Sequence, residues 1–188
     1  QALAQKYHAV VTNPPYMGSS GMSAKLSDFV KANYPDGKGD LFAVFIELCC
    51  RIAMVNGIVA MITQHQWMFL AGYERLRIKI DDYPMISLAH LGIGTFEDLN
   101  SKVVQSVSFI VRKQNLKNYI GSYNRLFEKQ GLQEDKEEKL LWLLTGKHRY
   151  NIQQSVFKFI DGSPIAYWAS QEAIDNFGKK RIRDYSDA

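Results

Sequence analysis

Four consecutive residues, Asn13-Pro14-Pro15-Tyr16, carry the densest chemistry in the chain. Prolines fix φ and lack an N–H, so a loop built on Pro14 and Pro15 presents carbonyl oxygens at set positions with no competing donor. Asn13 adds a side-chain carbonyl and Tyr16 a flat ring. A cluster of acceptors edged by an aromatic face suits a planar group carrying an NH2, such as the exocyclic amine of a nucleobase or an amide side chain. The same tetrapeptide also serves as a rigid turn ending a strand, because X-Pro turns are common. The flanking elements decide between the two readings.

Tyr7 to Thr12 is a short β-branched run stopped by the prolines, which predicts a buried strand delivering a stiff loop. In an open α/β sheet, ligands bind beyond the carboxyl ends of the strands, and Asn13 to Tyr16 lies at such an end. The Gly/Ser-rich stretch Gly18 to Ser23 and the polar segment to Gly39 read as a surface excursion. Asp40 can cap the next helix, in which Leu41, Val44, Phe45, Leu48, Ile52 and Val55 form one apolar stripe before Asn56-Gly57 stops it. Ile58 to Thr63 is apolar without alternation, as a strand covered on both faces would be. A second helix is expected over about Trp67 to Ile80, a strand over Ile86 to Leu91, and another over Val103 to Val111. This order predicts an α/β architecture with a mostly parallel sheet and an antiparallel final strand. Beyond Gln114 the pattern becomes charge-rich and aromatic, with Glu134 to Leu144 the clear helical segment, so a boundary is placed between 1–113 and 114–188.

The 188 residues are 46% hydrophobic and 22% charged, which excludes a disordered or collagen-like chain. No run approaches the ~18 apolar residues of a membrane span, so no membrane partner is expected. Adjacent Cys49 and Cys50 fall within a helical pattern and read as reduced core residues of a cytoplasmic protein. His8, His65, His90 and His148 have no metal-ligand spacing with each other or with the cysteines; they are taken as structural and no metal is expected. Trp67, Trp142 and Trp168 read as packing anchors. Residues 1–99 hold 8 Lys/Arg against 9 Asp/Glu, whereas residues 100–188 hold 15 against 10, so a polyanion should be sought by the second half. Arg112, Lys113, Lys117 and Arg125 are candidate phosphate contacts, and Lys179 to Arg183 is the densest basic cluster.

Val-Val-Thr-Asn13-Pro14-Pro15-Tyr16 resembles the catalytic motif of S-adenosylmethionine-dependent amino-methyltransferases, in the form typical of the adenine-N6 branch. Gly39-Asp40-Leu41-Phe42, Asn56 to Thr63, Leu76-Arg77, and Gly92-Ile93-Gly94-Thr95-Phe96 with Val103 to Ser106 resemble the later motifs of that family, in its order. Tyr150 to Gln154 and Phe157 to Trp168 look like the region that follows the methylase domain in BREX-type phage-defence adenine methyltransferases and large restriction-modification fusions.

The resemblance implies a partial Rossmann-like class I methyltransferase sheet followed by a mixed linker toward a target-recognition region. It implies methyl transfer from S-adenosylmethionine to N6 of an adenine flipped out of double-stranded DNA, with restriction-modification or phage-defence proteins as further partners. Asn13 and Pro14 would grip the amino group, Pro15 would stiffen the loop, and Tyr16 and Phe96 would flank the base. Asp40 is either a helix cap or a cofactor ligand. The family's glycine-rich cofactor loop is absent, and Gly92-Ile93-Gly94 is a poor substitute because it opens no helix. With Gln1 as its first residue, the chain is therefore expected to be a piece of a longer enzyme and inactive alone. Two other functions remain open: an RNA or protein-glutamine N-methyltransferase using the same four residues, and a non-catalytic module that binds DNA or a partner protein.

Overall fold

The computed structural model describes residues 5–96, 104–116 and 118–179. Six strands form one sheet: β1 (Tyr7–Thr12), β2 (Ala53–Gln64), β3 (Met85–Gly92), β4 (Ser106–Arg112), β5 (Ile120–Arg125) and β6 (Arg149–Gln153), in the spatial order β1-β2-β4-β3-β5-β6. Five helices accompany them: α1 (Ala24–Asn33), α2 (Leu41–Ile52), α3 (Glu74–Asp81), α4 (Lys136–Thr145) and α5 (Gln171–Lys179).

The class is α/β and the strand directions over 1–113 are those expected, with β1, β2 and β3 running one way and the final strand β4 against them; with β5 and β6 added the whole sheet is mixed. The β1/β2 and β3/β5 pairs are parallel, whereas β2/β4, β3/β4 and β5/β6 are antiparallel. The cause is where the returning strand goes: β4 inserts between β2 and β3, so one reversed strand creates two antiparallel pairs. The sheet also continues across the compositional change near residue 113, because β5 pairs with β3.

Period-two alternation sets the faces. Val59, Met61 and Thr63 on β2 and Val107, Phe109 and Val111 on β4 are buried, together with Leu88 on β3 and Tyr123 on β5. They share a core with Phe42, Ile46 and Cys49 of α2 and Leu76 and Ile80 of α3. Each such side chain contributes about 1.5–3 kcal/mol of burial. On the other face Val11 is 76% exposed and Ile58 39%. The expected α2 stripe of Leu41, Val44 and Leu48 is real but faces α1, where it meets Val30 and Tyr34. The sheet is met instead by Phe42, Ile46 and Cys49.

Two expected boundaries move. The first helix ends at Ile52 rather than at Asn56-Gly57, and β2 begins at Ala53, paired with Tyr7. Asn56-Gly57 instead forms an irregularity inside the strand: Asn56 has φ 63°, and a Cβ on Gly57 would lie 2.9 Å from the Met54 carbonyl. The helix expected over Trp67 to Ile80 is broken into 3-10 turns at His65–Met68 and Ala71–Tyr73 before α3. The Arg77 guanidinium holds the break by donating to carbonyls on both sides of it: its Nη1 donates to the carbonyls of Trp67 (2.8 Å) and Leu70 (2.7 Å), and Nε and Nη2 donate to Gly162 O at 3.0 and 2.6 Å. The helix α4 is capped by Asp135 and ends at left-handed Gly146.

Candidate active site

Thr12 is the last residue of β1 and pairs with Met61, three residues before the end of β2. The loop that follows therefore emerges at the carboxyl ends of β1 and β2. Asn13 and Pro15 are exposed, Pro14 is buried, and Tyr16 is half-buried. Tyr16 packs edge-on against Phe42 at 6.2 Å between ring centroids. Its hydroxyl is buried beside the Ser106 side chain and makes no hydrogen bond of good geometry. Burial raises its pKa, Ser106 beside it acts in the opposite direction, and the Asp40 carboxylate adds to the rise.

Asp40 anchors this loop. Its Oδ1 accepts from Phe42 N at 3.2 Å, capping α2, and from Met17 N at 3.0 Å. Leu41 N donates to Met17 O and Ser19 N to Gly39 O, both at 3.0 Å. The segment after Tyr16 is thus held against the first turn of α2, and the carboxylate is committed to backbone donors rather than free to hold a ligand through that oxygen.

Phe96 is half-buried four residues beyond β3, after a turn in which Gly92 and Gly94 have φ of 69° and 71°. Lys139 Nζ donates to Leu91 O at 2.8 Å and Ile93 O at 2.9 Å, closing that turn. Phe96 and Arg125, at the end of β5 opposite His90, lie at the same end of the sheet as Asn13 to Tyr16.

Arg112 and Lys113 do not join them. Because β4 is antiparallel, Arg112 pairs with Ile58 at the amino end of the β2 core. That is six residues from Gln64, or about 20 Å from the site end. Lys113 Nζ donates to Ala53 O at 2.8 Å, and Arg112 Nε to Asn56 O at 3.4 Å, so both cations serve the α2–β2 junction. Lys117 and the Lys180 to Arg183 part of the basic cluster lie outside the described residues, as does Val103.

Sequence reasoning missed a buried polar chain. His65 Nδ1 and His90 Nε2 share a hydrogen bond at 2.9 Å, and His90 Nδ1 meets the Tyr167 hydroxyl at 3.0 Å. Burial lowers the pKa of His65 to about 4 and that of His90 to about 3, the latter helped by His65 and Arg125. Both rings are neutral at pH 7. The partners are 25 and 77 residues apart, so only the fold brings them together. Among the described residues no group of three or more His, Cys, Asp or Glu could hold a metal, and no helix is long and apolar enough to cross a membrane. Gln105 presents a buried Oε1 without a partner beside this chain, its own carbonyl accepting from His65 N at 3.0 Å. Trp67 and Trp142 are buried as expected, but Trp168 is 41% exposed.

Comparison with known proteins follows the same lines. Residues 2–93, from β1 through β3, match the family described as Eco57I restriction-modification methylase. This segment belongs to that family. Over 178 residues the chain is 44% identical to the adenine-specific methyltransferase PglX of Lacticaseibacillus casei (strain Zhang), covering 93% of this chain and 15% of the relative. It is 40% identical over 179 residues to the adenine-specific methyltransferase BrxX of Escherichia coli O9:H4 (strain HS), covering 94% and 14%. The chain thus spans about one seventh of the length of these curated relatives. Among solved structures, a nuclease-deletion mutant of the Type ISP restriction-modification enzyme LlaGI in complex with a DNA substrate mimic superposes with a TM-score of 0.60, at 14% identity, over 93% of this chain and 16% of that one. A class I S-adenosylmethionine-dependent methyltransferase of Listeria monocytogenes superposes with a TM-score of 0.50, at 10% identity, over 74% and 42%. The Eco57I-type segment therefore sits in an α/β fold of the class I methyltransferase kind.

Proposed function

We propose that this chain supplies the acceptor side of an adenine-N6 DNA methyltransferase that transfers a methyl group from S-adenosylmethionine to a base flipped out of double-stranded DNA. The observation that carries the reading is the Asn13-Pro14-Pro15-Tyr16 loop at the carboxyl ends of β1 and β2, clamped to α2 through Asp40. The curated relatives of the same segment are described as adenine-specific methyltransferases.

The chemistry asked of the loop is positioning. An adenine amino lone pair is delocalised into its ring, so the nitrogen is a poor nucleophile. Acceptors at Asn13 Oδ1 and the Pro14 carbonyl would take both N6 hydrogens and aim the lone pair, with no covalent intermediate on the protein. The base leaves the duplex at a cost of a few kcal/mol, offset by stacking on Tyr16 and Phe96. S-adenosylmethionine, when bound, supplies the electrophilic methyl of its sulfonium. The described residues fit the acceptor rather than a full cradle for that cofactor. Gly92 and Gly94 are close-packed, since a Cβ at either would lie 2.9 Å from Phe127 Cδ1 or 2.6 Å from Gln133 Cδ. Asp40 is read as a positioning residue, Arg125 as a phosphate contact, and 114–188 as leading toward target recognition, with restriction-modification or phage-defence proteins as partners.

Tyr16 provides the test in the full-length protein. Stacking is worth about 1–3 kcal/mol per ring, so Tyr16→Ala should slow methylation by roughly 5- to 150-fold while DNA affinity changes little. Tyr16→Phe keeps the ring, removes a buried hydroxyl that makes no hydrogen bond of good geometry and should retain most activity. Equal rates for wild type and Tyr16→Ala would refute the proposed role.

A further inference from the structure

A second cavity of about 420 Å³ opens at the carboxyl ends of β2, β3 and β5, between His65, Phe69, Arg125, Phe127 and Trp168, with His90 at its base. Its volume falls in the range of small-molecule pockets, ~300–1,000 Å³. Neither Asn13 nor Tyr16 lines it. We propose that it receives a second nucleobase, from a nucleotide other than the methylated adenine; this rests on the reading of the protein as a DNA methyltransferase.

Three features select that ligand class. The walls are aromatic faces: Phe69 and Trp168 lie 5.5 Å apart between centroids, and Phe127 stands edge-on to His90 at 4.7 Å. Any base can stack on such rings, because every base has a π-face. The polar groups are unfilled in a complementary way. His65 Nε2 has no hydrogen-bond partner among the described residues, while its Nδ1 is tied through His90 to the Tyr167 hydroxyl. In neutral rings this chain can run in either direction, so His65 Nε2 can donate to or accept from a base edge. Arg125 lines the cavity; its Nη2 donates to Glu128 O at 3.1 Å, and its Nη1 has no acceptor among the described residues. The guanidinium, 4.7 Å from the Phe127 ring, therefore keeps a donor for a base carbonyl or a phosphate.

Position is the third feature. From β1 to β3 is three strand steps, about 14 Å at 4.8 Å per step. The major groove of DNA is about 12 Å wide, so the two sites can engage different nucleotides of one locally opened duplex.

The test uses the full-length protein and a duplex it methylates, with an abasic nucleotide introduced at each position of both strands in turn. Binding is measured for wild type, Trp168→Ala and His65→Ala. Trp168 stands at the rim, 41% exposed, so its removal spares the core. At one position other than the acceptor adenine, loss of the base should weaken wild-type binding about tenfold, within the range expected for one stacked ring. The same loss should have no further effect in Trp168→Ala, whereas an abasic acceptor should weaken both proteins alike. If no position behaves so while the acceptor adenine is methylated, the second site is refuted and the proposed function stands. If both variants bind every duplex as wild type does, the cavity serves contact with protein and the inference fails. A full-length protein that methylates no DNA overturns both.

Discussion

Replacing Arg77 by alanine should be among the most destabilising changes available in the sheet-forming part of the chain. The side chain is 3% exposed, and its charge is spent on backbone carbonyls rather than on a carboxylate. Leu70 O also accepts from Tyr73 N, so it would remain satisfied, but Trp67 O and Gly162 O would each lose their guanidinium donors. The buried Trp67 O and the half-buried Gly162 O left unpaired cost about 1–3 kcal/mol each, with Gly162 O at the lower end because water can reach it. The loss is partly offset because the guanidinium no longer has to be desolvated. A net loss of about 1–4 kcal/mol follows, or roughly 2–16 °C in melting temperature for a chain of this size. Urea denaturation followed by tryptophan fluorescence reads the change, since Trp67 sits on one of the orphaned carbonyls. Limited proteolysis should show the Gly162 segment cut before the sheet. Arg77→Met keeps the apolar stem and should still lose most of the stability; if it melts like wild type, the hydrogen bonds are not what holds the tail to the sheet.

Acid should weaken the fold earlier than carboxylate titration alone would. His65 and His90 have folded pKa values lowered to about 4 and about 3, so the unfolded chain takes up their protons first as pH falls below about 6.5, and stability present above that pH is lost toward pH 4. The denaturation midpoint should fall between pH 6.5 and 5 in wild type and stay flat there in a His65→Gln/His90→Asn double variant; equal slopes would contradict the buried neutral pair. Asp40→Ala removes both the α2 cap and the anchor of Met17 N, with an expected loss of about 1–2 kcal/mol in urea titration. Gly37→Ala should cost about 1–3 kcal/mol, because its Cβ would lie 2.7 Å from the backbone of Ala43 and neither segment can yield cheaply. An unchanged midpoint in Gly37→Ala would show that the α2 entry is looser than described.

Much of this site is local and was legible in the sequence. The run from Tyr7 to Thr12 stopped by two prolines specifies a strand followed by a stiff loop, and Asp40 before an apolar stripe specifies a capped helix; both elements are present, but β1 is an edge strand with no buried residue rather than the buried strand its apolar run predicts. The sheet's order is not local. Nothing in Ser106 to Arg112 states that the strand returns between β2 and β3, yet that placement reverses its direction and carries Arg112 and Lys113 to the far end. Basic residues identified by composition alone thus separate into Arg125, at the same end of the sheet as Asn13 to Tyr16, and two that tie α2 to β2. The broken helix before α3 was hidden for a similar reason. Its apolar spacing is helical, but Arg77 gathers the carbonyls of Trp67 and Leu70 with one 85 residues away from itself at Gly162. The short helix α5 was missed because its only strong signal is a brief amphipathic run beside Trp168.

The most direct measurement is the identity of the methylated product. The full-length protein, incubated with S-adenosylmethionine and double-stranded DNA, should yield N6-methyladenine on nucleoside mass spectrometry, and Asn13→Ala should abolish or severely reduce it while DNA binding persists. A methylated cytosine, a methylated protein glutamine in place of DNA, or undiminished N6-methyladenine from Asn13→Ala would contradict the account.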